Sequence, residues 1–93
     1  MTGLDGSVPD RRFSARQLAH LLEITSSVDC ECPNHLSKLV ESLVAFEDYS
    51  KDCESRDAED REIHAMLYRT TARARGVMEE ALIVLMQHEN IEL

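Results

Sequence analysis

From Leu18 onward the apolar positions recur at steps of three and four, the period of a helix that buries one face. Leu18, Leu21, Leu22, Thr25 and Val28 form the first such stripe. It is opened by Ser14-Ala-Arg-Gln17, an S-x-x-Q capping box in which each side chain satisfies an amide of the other residue. The second stripe is Leu36, Leu39, Val40, Leu43, Val44 and Phe46, extended by Ser50 and Cys53. Pro33 suits the first helical position, where a missing N–H costs nothing, and Cys32 then stands at the N-cap. Ser55-Arg56-Asp57 is the one later polar break. Asp57 and Asp60 fit the cap of a third helix, with Glu59 and Glu62 in the turns where the helix dipole favours acid. That helix carries two adjacent rows. Ile63, Leu67, Thr70, Ala74, Val77, Ala81 and Val84 step alternately by four and three, the heptad seam of packed helices. His64, Tyr68, Thr71, Arg75, Met78, Leu82 and Leu85 are polar in the first half and apolar in the second. Gly76 costs ~1 kcal/mol relative to Ala and leaves room for a neighbouring helix to approach.

These patterns predict an all-α fold with helices at about 14–27, 33–54 and 58–88. They form a single helical domain over 13–93, behind a flexible polar arm over 1–12. The second and third helices make a long antiparallel hairpin, and the first is a short addition. A third helix of roughly 30 residues is ~45 Å long, beyond the ~30 Å span of a small compact domain. In a monomer its end with Leu82, Ile83, Leu85 and Met86 is poorly covered. The expectation is therefore a homodimer or higher homo-oligomer, with two hairpins forming a four-helix bundle and the short helix on its outside or ends.

Composition narrows the partners. The net charge is −8, which argues against a domain built to grip a nucleic acid backbone or an anionic membrane surface. No apolar run approaches the ~20 residues of a transmembrane helix. The segment MTGLDGSVPD has neither the basic nor the apolar region of a signal peptide, so a cytoplasmic location is expected. Three cysteines, an odd number, read as reduced thiols or ligands rather than a disulfide framework. Aromatic residues are 4% of the chain, so the core is built from Leu, Val, Ile, Met and Ala.

Two clusters carry candidate chemistry. Cys30, Cys32 and His35 form C-x-C-x2-H, soft and imidazole ligands that suit zinc, iron or haem. Cys32-Pro33 also has the form of the Cys-Pro dipeptide of haem-responsive proteins, and a thiol at a helix N-terminus is activated for redox chemistry. The plainer reading makes Cys32 a cap, Cys30 a small buried residue and His35 a solvated one. A hairpin turning at Ser55-Arg56 pairs positions whose numbers sum to roughly 112. That register sets His64 beside Glu47 and Asp48, and Cys53 opposite Glu59. Glu47 lies at the edge of the apolar stripe and needs a partner. Glu47, His64 and Tyr68 then form either a hydrogen-bonded network or, with Cys53, part of a metal site completed across a dimer. The E-x-x-H pair of ferritin-like di-iron bundles is absent. Arg69, Arg73 and Arg75 read as an ion-pairing surface strip. No G-x-S-x-G, Gly-rich phosphate loop or H-E-x-x-H is present, so no enzyme is expected.

Several pieces resemble a helical segment of some proteobacterial MerR-type transcriptional regulators, where it follows the DNA-binding part. They are Cys30-Glu31-Cys32-Pro33 with His35-Leu36, Phe46-Glu47 with Tyr49-Ser50, Cys53-Glu54, His64, and Thr71-Ala72-Arg73. The resemblance spans roughly residues 28 to 90 and implies a helical effector or dimerisation module. The first 27 residues cannot hold a winged helix-turn-helix, so DNA binding does not follow from it. Two functions stand at this point. One is a non-enzymatic, self-associating helical module with a regulatory or protein-interaction role. The other is a metal- or haem-binding sensor or storage protein using Cys30, Cys32 and His35.

Overall fold

A computed structural model describes residues 8–24, 31–56 and 58–93. The described residues fold into three helices: α1 (Ala15–Ile24), α2 (Cys32–Arg56) and α3 (Arg61–His88). α2 and α3 pack along their lengths as an antiparallel hairpin, and α1 lies against α2. Thr25, Val28 and the expected Asp57 cap fall outside the described residues.

The helix ends follow from local chemistry. The Ser14 N–H donates to Gln17 Oε1 at 2.9 Å and the Gln17 N–H donates to Ser14 Oγ at 3.1 Å, so the capping box forms as expected. α2 begins one residue earlier than the sequence pattern suggests. The His35 N–H donates to the Glu31 carbonyl at 3.0 Å, which makes Glu31 the N-cap and puts Cys32 inside the first turn. Pro33 is accommodated because no N–H of the first turn has an intrahelical partner. α3 ends in a Schellman arrangement. The Ile91 N–H reaches the Met86 carbonyl at 2.8 Å and the Asn90 N–H reaches Gln87 at 3.3 Å. This requires a left-handed residue at Asn90, whose φ is 57°. Ile91 then folds back onto the apolar core.

The core sits at the open end of the hairpin. Phe13, Leu18, Leu21, Val40 and Leu82 are buried together, with Leu36, Val44, Met78, Ile83 and Met86 packed around them. The expectation of a poorly covered C-terminal end of α3 is corrected here: Leu82 is fully buried and Ile83, Leu85 and Met86 are half-buried. α1, though short, is placed where two helices alone would leave the gap. Among the described residues no third helix covers the remaining two-thirds of the hairpin. The molecule therefore measures 48 × 28 × 17 Å, with a radius of gyration of 15.0 Å. A compact domain of this length has about 12 Å.

The register also differs from expectation. Arg75 binds Glu47, and Lys51 Nζ lies 4.9 Å from the centre of the Tyr68 ring, so facing positions sum to about 120 rather than 112. The hairpin turns nearer residues 58–60, where a bend and turn precede α3.

Replacing Asn90 with Ala forces an ordinary L-residue into the left-handed region and should lower stability by about 1 kcal/mol. Asn90→Gly should lose nothing, both read by urea denaturation followed by circular dichroism.

Candidate functional site

Two features rise above the rest of the fold: a buried charge cluster that fixes the N-terminal segment, and an uncharged face on the opposite side of the hairpin.

The cluster is centred on Arg75. Its side chain is 1% exposed, as is that of Glu47, and Glu79 is fully buried. Arg75 Nε donates to Glu47 Oε2 at 2.6 Å and Nη1 to Glu79 Oε1 at 2.8 Å. The same guanidinium reaches the carbonyls of Pro9 at 2.7 Å and Asp10 at 3.2 Å. The Arg12 N–H donates to the other Glu79 oxygen at 3.0 Å. Arg11 adds a second cation, 3.8 Å from Glu47 and 2.8 Å from Asp48. Residues Pro9 to Arg12, expected in a flexible arm, are thus tied to α2 and α3, and Phe13 is buried behind them. Gly76 serves this contact rather than a neighbouring helix: a Cβ there would come within 2.8 Å of Pro9 Cγ. Among the described residues no buried side-chain nitrogen or oxygen lacks a hydrogen bond.

Burial by itself lowers the Arg75 pKa. The hydrogen bond and charge of Glu47, followed by those of Glu79, outweigh it and hold the guanidinium above its ordinary value. A raised pKa means that its contribution to stability is complete below the ordinary guanidinium value and is lost only as pH climbs past it. Arg75 is therefore a fixed cation at every pH in normal use.

This arrangement corrects the expected network of Glu47, His64 and Tyr68. Glu47 is held by Arg75 and Tyr68 lies under Lys51, while the observed register sets the half-buried His64 level with the end of α2. The surface strip is corrected as well, since Arg75 points inward and Arg73 alone of the three is exposed. Of the soft-ligand cluster, Cys30 lies outside the described residues. Cys32 is exposed, and His35 Nε2 lies 3.4 Å from Glu31 Oε1 on the surface. Cys53 is half-buried, with Arg56 Nη2 at 3.9 Å from its sulfur. Among the described residues no three His, Cys, Asp or Glu side chains are grouped as a metal site.

The uncharged face runs along the side of the hairpin away from the Arg75 cluster, and only its outer edge at Val77 reaches the cleft beside Pro9 and Arg12. The heptad row of α3 is not buried within the chain: Val77 is 63% exposed, Val84 62% and Ile63 49%. Thr70, Ala74 and Ala81 of the same row are also exposed. The second row, with Arg75, Met78 and Leu82, is the one turned to the rest of the molecule. On α2, Tyr49 is 61% exposed, with Leu39 and Phe46 beside it on the same edge. Helical geometry sets both exposed rows on one side, because each lies on the opposite flank of the α2–α3 contact from the residues that meet Pro9 to Arg12. Neither row contains Asp, Glu, Lys or Arg, in a chain that is 30% charged.

No family model, no curated protein and no solved structure matches the chain. Among the described residues no helix is long and apolar enough to cross a membrane.

Arg75→Met removes one member of a buried ion cluster and strands Glu47 and Glu79, so it should cost about 3–5 kcal/mol. Arg75→Lys should fail to recover most of this, because one ammonium cannot reach two carboxylates and two carbonyls. Urea denaturation of both variants checks the claim.

Proposed function

We propose that the protein is a non-enzymatic helical module that associates with itself through the uncharged face of the hairpin, in a regulatory or protein-interaction role. The carrying observation is the heptad row of α3, which has the spacing of a packed seam and is exposed in the single chain. Contiguous apolar patches of this kind mark interaction surfaces. The slab shape supports the same reading. Beyond the stretch that α1 covers, the described residues of the hairpin form a single layer of helices, and a stable domain packs two. A face roughly 30 Å long and 20 Å wide offers on the order of 600 Å² per partner, close to the ~800 Å² of a standard interface. Such a module agrees with the dimerisation role implied by the resemblance to MerR-type regulators.

The other surfaces offer less for catalysis. The cleft between the N-terminal segment and α3 is lined by Pro9, Arg12, Gly76 and Val77. The Glu79 carboxylate in its wall is already bound on both oxygens.

Val84→Glu places a charge on the face away from that cleft and outside the monomer core, so helicity and urea midpoint should barely change. Self-association should weaken about a hundredfold, or roughly 2.7 kcal/mol. Light scattering across a dilution series reads this. Equal association of the variant and the wild type would remove the face from the account. Because each protomer carries −8, added salt should tighten the wild-type complex rather than loosen it.

A further inference from the structure

The two rows of the face differ in a way that selects one arrangement of a second copy. Facing positions of α2 and α3 sum to about 120, which fixes what lies level with what along the hairpin. At mid-length α2 is bulky: Phe46 and Tyr49 stack with ring centroids 6.4 Å apart. At that level α3 is small, with Thr70 and Ala74 exposed. Toward the hairpin tip the sizes reverse. There α3 presents Ile63 and Met66, and the α2 row ends in Cys53. At these two levels a large side chain on one helix thus stands beside a small one on the other.

Two two-fold axes bring the face onto a copy of itself with full overlap. An axis across the helices sets α2 on α2′ and α3 on α3′. Phe46 and Tyr49 then meet their own copies, while Ala74 faces its own copy across a gap. Crowding and voids both cost stability in a packed interface. An axis along the helices sets α2 of one protomer on α3 of the other at the same level. The Phe46–Tyr49 pair then covers Thr70 and Ala74 of the second copy, and Ile63 and Met66 cover the end of its α2 row. Neighbouring helices are antiparallel about either axis, so the helix dipoles do not choose between them and the side-chain sizes do.

We infer that the partner of this face is a second copy of the chain, docked about a two-fold axis parallel to the helices so that the aromatic pair of α2 fills the small-residue stretch of α3 in the other protomer. This rests on the self-association proposed above, and adds to it which helix meets which.

The test is disulfide trapping in a full-length background with Cys30, Cys32 and Cys53 changed to Ser. Ser42→Cys and Ala81→Cys stand at nearly the same level on the exposed rows of α2 and α3. The two single-cysteine proteins are refolded together and oxidised with copper phenanthroline. The inference expects a disulfide-linked dimer from the mixture and little from either protein alone. Ala74→Cys alone serves as the opposite probe, since it lies near the axis only when α3 meets α3′. Efficient cross-linking of Ala74→Cys, or no cross-link in a Ser42→Cys and Ala81→Cys mixture that light scattering shows to be dimeric, overturns the arrangement and leaves self-association standing. A mixture that scatters as monomer overturns both.

Discussion

The guanidinium of Arg75 holds the described structure in register. It touches α2 through Glu47, its own helix through Glu79, and the N-terminal segment through two backbone carbonyls. A buried cation must be neutralised and hydrogen-bonded, because an uncompensated one costs several kcal/mol. Its partners are therefore not interchangeable. A slip of α3 along α2 would leave Glu47 and Arg75 separately buried, which apolar contacts alone would not penalise as steeply. The cluster gives the hairpin its register, and with it the level at which each residue of the outer face stands.

The same cluster divides the surface. Drawing Pro9 to Phe13 across one side of the hairpin closes that side and completes the small core with α1. Among the described residues nothing comparable covers the other side, where Val77, Val84 and Tyr49 are more than half exposed. Hydrophobic residues scattered singly over a surface need no explanation. Two adjoining rows without a charge, in a chain of net charge −8, do. The proposed association with a copy of itself would cover both the apolar rows and the single-layered part of the hairpin.

Much of the fold was legible in the sequence because helices announce themselves through local rules. The Ser14–Gln17 box, the stripes of α2 and α3 and the polar break between them all depend on residues within a turn of each other. The register was not local, and the assumed turn at Ser55-Arg56 displaced it. That displacement gave Glu47 the wrong partner. A signal was present: Glu47 and Arg75 are opposite charges, each lying on an otherwise apolar or inward row, and two such residues in one bundle need each other. The role of Pro9 to Arg12 was hidden because it acts through backbone carbonyls, which no side-chain pattern reveals. The choice between the two rows of α3 depended on where α1 and the N-terminal segment lie, which periodicity alone does not tell.

The central claim is that the exposed heptad row of α3 is a buried seam in the working protein. Sedimentation equilibrium of the wild-type chain at micromolar concentration tests it most directly. The account predicts a mass of twice 10.6 kDa, or a higher multiple, that falls toward the single-chain value on dilution. A constant 10.6 kDa across the range would contradict it.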